Sequence, residues 1–93
     1  MPLTVDDVRR RLANVLATRV VRMDPQSLSA ETPLIKSGLN LDSVALLEFV
    51  VGIEEEFGIV FDDAALTADR FRSLGTLAQY IHDIVITPAV RPA

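Results

Sequence analysis

The chain has 93 residues, no cysteine and one histidine, His82, which excludes disulfides, thiolate metal sites, a cysteine nucleophile and a histidine-built metal cage. With 49% hydrophobic and 24% charged residues it is expected to be one globular domain over 1–93, not a disordered chain. At this length folding removes only about 60–65% of the unfolded chain's surface from water, so a deep catalytic cleft is not expected.

Four helical segments are predicted, in chain order. Thr4 reads as an N-cap, with Asp7 three residues on adding first-turn negative charge. Val5, Val8, Leu12, Val15 and Leu16 follow at helical spacing, which carries the first helix to about Val20. A long connection from Asp24 to Leu41 is punctuated by Pro25, Pro33 and Gly38, with Leu28, Leu34 and Ile35 as its expected anchors on the core. Asp42 or its neighbour caps a second helix that ends at Phe57-Gly58, with Gly58 as the residue just past its C-terminus. A short helical piece is expected over about Ala64–Asp69. Ser73 caps the last helix, whose Leu74, Leu77, Tyr80, Ile81, Ile84 and Val85 form one face. Gly58-Ile59-Val60-Phe61 is too short for more than an extended turn, and Thr87–Ala93, with Pro88 and Pro92, reads as a flexible tail. The expected fold is all-α: a four-helix bundle of three main helices and one short one, with a long first loop and a core over about residues 5–86.

Charge is unevenly placed. Residues 1–37 carry six bases and four acids, whereas residues 38–63 carry seven acids and no base: Asp42, Glu48, Glu54, Glu55, Glu56, Asp62 and Asp63. This argues against a nucleic-acid partner, which needs Lys and Arg over phosphates, and for basic protein partners. A solvated acidic helix face gives the same pattern. No apolar run reaches the roughly 18 residues a membrane span needs, and Met1–Val5 lacks a basic and apolar leader; a monomer in the cytoplasm, off the membrane, is expected.

The second helix carries two apolar stripes where an amphipathic helix needs one. Leu46, Phe49, Val50, Ile53 and Phe57 make a full core face; Val44, Leu47 and Val51 make a second, flanked by Asp42, Glu48 and Glu55. The second stripe either packs on the short third helix or the long connection, or it stays exposed as a docking surface rimmed with acids.

Ahead of this helix stands Gly38-Leu39-Asn40-Leu41-Asp42-Ser43-Val44. Here the chain resembles the acyl carrier protein family, whose Asp-Ser-Leu motif opens its second helix. Thr32-Pro33-Leu34-Ile35, Leu46-Leu47-Glu48, Ile53-Glu54-Glu55-Glu56-Phe57-Gly58-Ile59, Phe71 and the segment from Leu77 to Ile81 are similar to the family's corresponding stretches, so the resemblance covers about residues 5–86.

The resemblance implies that Ser43 carries 4′-phosphopantetheine, derived from coenzyme A, as a phosphodiester, and that Asp42 is its motif neighbour. It implies a non-catalytic carrier that shuttles an acyl thioester between biosynthetic enzymes, in fatty acid, polyketide or specialised metabolism. The sulfur of that thioester belongs to the cofactor, which suits a chain without cysteine. The implied partners are a phosphopantetheinyl transferase, an acyl-loading ligase or acyltransferase, and downstream synthases or transferases with basic docking patches. Val44, Leu47, Glu48, Val51 and Glu55 are the expected partner-binding residues. The chemistry of the residues agrees: a helix N-terminus stabilises a nearby phosphate by roughly 0.3–1 kcal/mol where exposed.

The chain departs from the family pattern at three places. Val44 replaces the usual Leu or Ile. Gly52 stands mid-helix, for close helix packing or as room for an acyl chain. Leu41 precedes the motif, a pattern associated with specialised-metabolism and aminoacyl carriers. Three other readings compete. One is an aminoacyl or peptidyl carrier. Another is a helical interaction module without cofactor, in which Ser43 is only a cap. The third is an enzyme with Ser43 as a nucleophile activated by His82 and an Asp behind it, for which there is no G-x-S-x-G elbow. The capped start and short tail suggest a discrete protein.

Overall fold

The computed structural model describes residues 3–21, 23–35, 38–39, 41–61 and 67–86. Among them the protein is all-α, as expected, with helices α1 (Val5–Val15), α2 (Ser43–Phe57) and α3 (Leu74–Ile86). A single 3-10 turn, Pro25–Ser27, lies in the long connection.

α1 opens on a complete capping box. Thr4 Oγ1 accepts the Asp7 N–H at 3.0 Å, and Asp7 Oδ2 accepts the Thr4 N–H at 3.1 Å. Helical structure then runs to Val20 as predicted, but its last turn, Leu16–Val20, is a π-turn rather than α-helix. Val8, Leu12, Ala13, Val15 and Leu16 are buried from this one segment. α1 packs along α3, and its π-turn lies against α2.

The long connection is held by its backbone as well as by its leucines. Leu28, Leu34 and Leu41 are buried, while Ile35 is only half-buried. The carbonyls of Thr32 and Ala30 accept the N–H groups of Leu74 and Gly75 at 2.9 and 2.7 Å, so the loop supplies acceptors that the first turn of α3 lacks by itself. Ser73 adds its side chain, accepting the Thr76 N–H at 3.2 Å. The Leu41 N–H donates to the Leu34 carbonyl at 2.8 Å, one residue before the start of α2 is capped. The loop thereby fixes where α2 begins.

α2 ends at Gly58, whose φ of 65° is the left-handed conformation that only glycine adopts without strain, and the Gly58 and Ile59 N–H groups both donate to the Glu54 carbonyl. Beyond it, Phe61 is buried with its ring 6.2 Å from Phe71 and 6.1 Å from Tyr80. The short helix expected over 64–69 is not confirmed: Ala64–Leu66 lie outside the described residues, and Thr67–Asp69 enter a turn whose Phe71 N–H reaches the Thr67 carbonyl. The expected tail, Thr87–Ala93, also lies outside them. On α3, Leu74, Leu77, Ala78 and Ile81 are buried. Tyr80 and Ile84 are only half-buried, and Val85, in the last turn of α3, is exposed.

Candidate functional site

Asp42 is the N-cap of α2. Its backbone is extended, its Oδ1 accepts the Ala45 N–H at 2.8 Å, and its carbonyl accepts the Leu46 N–H at 2.8 Å. Ser43 is therefore the first helical residue. It is exposed, and its hydroxyl makes no hydrogen bond among the described residues. With the Ala45 N–H taken by the cap, the Ser43 and Val44 N–H groups are left without an intrahelical acceptor at the positive end of a 15-residue helix. An exposed hydroxyl beside free donors and a positive helix end suits covalent attachment of an anionic group.

The two stripes of α2 separate cleanly. Phe49 and Ile53 are fully buried, Val50 nearly so, and Gly52 is buried among them. Leu46 and Phe57, expected in the core face, are only half-buried, since they lie in the first and last turns of α2, at the two ends of that face. Val44, Leu47 and Val51 are 70%, 61% and 41% exposed, so the second stripe faces solvent. It lines a shallow groove of about 310 Å³ with Glu48 and Arg19. A neighbouring groove of about 330 Å³, lined by Asp42, Val44, Ala45, Glu48, Arg19 and Val20, continues to the start of the helix. The site therefore extends from Ser43 along one side of α2.

Gly52 serves close packing. A Cβ there would lie 2.6 Å from Val15 Cγ1 and 2.9 Å from Arg19 Cδ, so only glycine lets the π-turn approach α2 this closely. Arg19 reaches past Gly52 to pair with Glu55. Sequence reasoning missed Arg19: its partner is 36 residues away, and a lone exposed arginine in a helical stretch carries no signal of where it points. Asp62 and Asp63 of the acidic block lie outside the described residues.

A larger cleft of about 410 Å³, between α1 and the 3-10 turn, contains none of these residues. Its arginines are engaged internally: Arg9 pairs with Asp6 and donates to the Leu28 carbonyl, and Arg10 pairs with Asp6 and Asp7. His82 does not join Ser43. Its Nε2 lies 2.8 Å from the Leu3 carbonyl oxygen, which leaves it holding the N-terminal segment to α3.

The family model described as "Phosphopantetheine attachment site" matches residues 8–81, most of the chain and all of the surface just described. The chain belongs to the acyl carrier protein family. A relative named "Acyl carrier protein, mitochondrial", from Neurospora crassa, is 37% identical over 79 residues, which is 85% of this chain and 57% of that protein. The chain thus spans little more than half the length of this curated relative. The family's cofactor is 4′-phosphopantetheine, and its carriers present that arm without themselves catalysing a reaction. The local geometry accepts such a group, because an exposed first-turn hydroxyl with free N–H groups beside it is what a phosphodiester needs. Among the described residues no cluster of acidic and histidine side chains could hold a metal ion, and no helix is long and apolar enough to cross a membrane.

Proposed function

We propose that this chain is a single acyl-carrier domain whose Ser43 is the attachment point of 4′-phosphopantetheine, and that it passes an acyl group between biosynthetic enzymes. The observation that carries the reading is the place of Ser43: an exposed first-turn hydroxyl, set by the Asp42 cap, at the head of an exposed apolar stripe. The arm's terminal thiol would hold the acyl group as a thioester. The residues of this chain do the rest. Asp42 fixes the helix start, so that Ser43 is presented at a defined place to the modifying transferase. Val44, Leu47 and Val51 offer an apolar anchor to the transferase, the loading enzyme and the downstream enzymes, with Glu48 and Glu55 at the rim. We take the cytoplasm as its compartment and a monomer as its working form; the Neurospora relative is assigned to the mitochondrion by its own name alone.

Intact mass after incubation with a phosphopantetheinyl transferase and coenzyme A tests this directly. The wild-type chain should gain one phosphopantetheinyl mass. Ser43→Ala should gain none while keeping its helicity, since Asp42 still caps α2. Loading of that variant would move the site elsewhere, and a wild-type chain that gains nothing would make it a helical module without cofactor.

A further inference from the structure

α2 carries four carboxylates, and three are already engaged within the chain. Glu54 accepts the Phe61 N–H at 2.8 Å. Glu55 is paired with Arg19. Glu56 lies 3.8 Å from the Arg11 guanidinium, which also sits 5.8 Å above the centre of the Phe57 ring. Only Glu48 has neither a hydrogen bond nor an ion pair among the described residues. The block that reads as uniformly acidic in sequence is therefore a mixed field on the folded surface. At the exposed stripe, one free carboxylate and one guanidinium face the same groove, because Glu48 and Arg19 line it together with Val44, Leu47 and Val51.

Arg19 is also a well-placed cation. Its stem crosses α2 at Gly52, close enough that a single added methyl there would strike it. Its Nη2 is held by Glu55, and its side chain remains 42% exposed. A guanidinium has five N–H donors, so one contact with Glu55 leaves others available on a side chain that is still partly exposed.

We propose that Arg19 is a specificity-determining residue of this face: the phosphopantetheinyl transferase that docks there sets a carboxylate against Arg19, beside the apolar side chain that fills the groove and the base that meets Glu48. This rests on the reading of the α2 stripe as a docking surface. Charge complementarity argues for that partner. A uniformly basic patch laid on this groove brings like charge onto Arg19, which is costly in a partly desolvated contact and selects against such partners.

The sign of one substitution decides the matter. Arg19→Gln keeps a stem over Gly52 and makes the face more negative, since it also frees Glu55. A partner with only basic groups opposite should then associate faster. A partner with a carboxylate opposite Arg19 should associate more slowly, by about three- to tenfold, with Arg19→Glu slower still. The measurement is the association rate of the full chain with its source organism's phosphopantetheinyl transferase, at low and at physiological ionic strength. Leu47→Ala runs alongside, and circular dichroism shows that each variant is folded. Slower association of both Arg19 variants supports the assignment. If Leu47→Ala weakens association while the Arg19 variants are unchanged or faster, Arg19 is only a tie between two helices and the proposal is overturned. If Leu47→Ala itself has no effect, the docking surface fails and the proposal with it.

Discussion

Gly52 sets the distance between the π-turn and α2, and so decides how Arg19 lies. Glycine in mid-helix costs about 1 kcal/mol of propensity against alanine. A Cβ at this position would press within 2.6 Å of Val15 Cγ1. Val15 is buried and β-branched, so it has little freedom to give way, whereas the Arg19 stem can swing. Overpacking of this kind costs about 1–3 kcal/mol and outweighs the recovered propensity. Gly52→Ala is therefore expected to lower stability by about 1 kcal/mol net, read as an earlier thermal melt, although alanine is the better helix former. A later melt would mean that α1 and α2 can separate at no cost. The same residue had two sequence-level explanations, close packing or room for an acyl chain, because one chain's sequence does not say what stands opposite a glycine.

Among the helices, α1 has the most complete start and the least regular end. Asp7 accepts the Thr4 N–H, and that backbone hydrogen bond is the main reason its carboxyl titrates below the ordinary 3.8, with the Thr4 hydroxyl contact next. Asp6 is lowered likewise, chiefly by its hydrogen bond to Arg9. A carboxyl lowered by folding stabilises the folded state above its ordinary value, and that contribution is lost as pH falls through the lowered one. Replacing Asp7 by Asn should thus lower the melting temperature fully at neutral pH. The difference from wild type should hold down to about one unit above 3.8 and then close as the pH falls below it. Melts of the two proteins across that range check it; a gap that persists in acid would mean the box acts by shape alone. At its other end α1 widens into a π-turn, a form often found at functional positions, and here it is the segment that carries Arg19 to the groove.

Across the whole molecule, two residues of α2 with isomeric side chains face opposite environments. Ile53 is fully buried and Leu47 is 61% exposed. Ile53→Ala should cost about 2–5 kcal/mol, a large part of a small domain's stability, whereas Leu47→Ala should stay within about 0.5 kcal/mol. Paired thermal melts give the comparison, and equal losses would show that the stripe is covered. Leu46, half-buried, falls between the two and makes a poorer contrast. The three helices and their caps were legible in the sequence because Thr4, Asp42, Gly58 and Ser73 act within one turn of themselves, and because core spacing repeats locally. The exposure of Val44, Leu47 and Val51 was not, since periodicity shows that a second stripe exists but not what covers it. Nor were the pairings of Arg19 with Glu55 and Arg11 with Glu56, which join segments distant in the chain. The same holds for the two carbonyls, of Thr32 and Ala30, that complete the first turn of α3. They make the connection between α1 and α2 a structural part of another helix: α3 cannot begin properly until that stretch is seated, and that stretch in turn sets where Ser43 stands. The segment most loop-like in composition is thus tied at several points to two helices, and an inserted or deleted residue between Ala30 and Leu41 would be felt both at the start of α3 and at the start of α2.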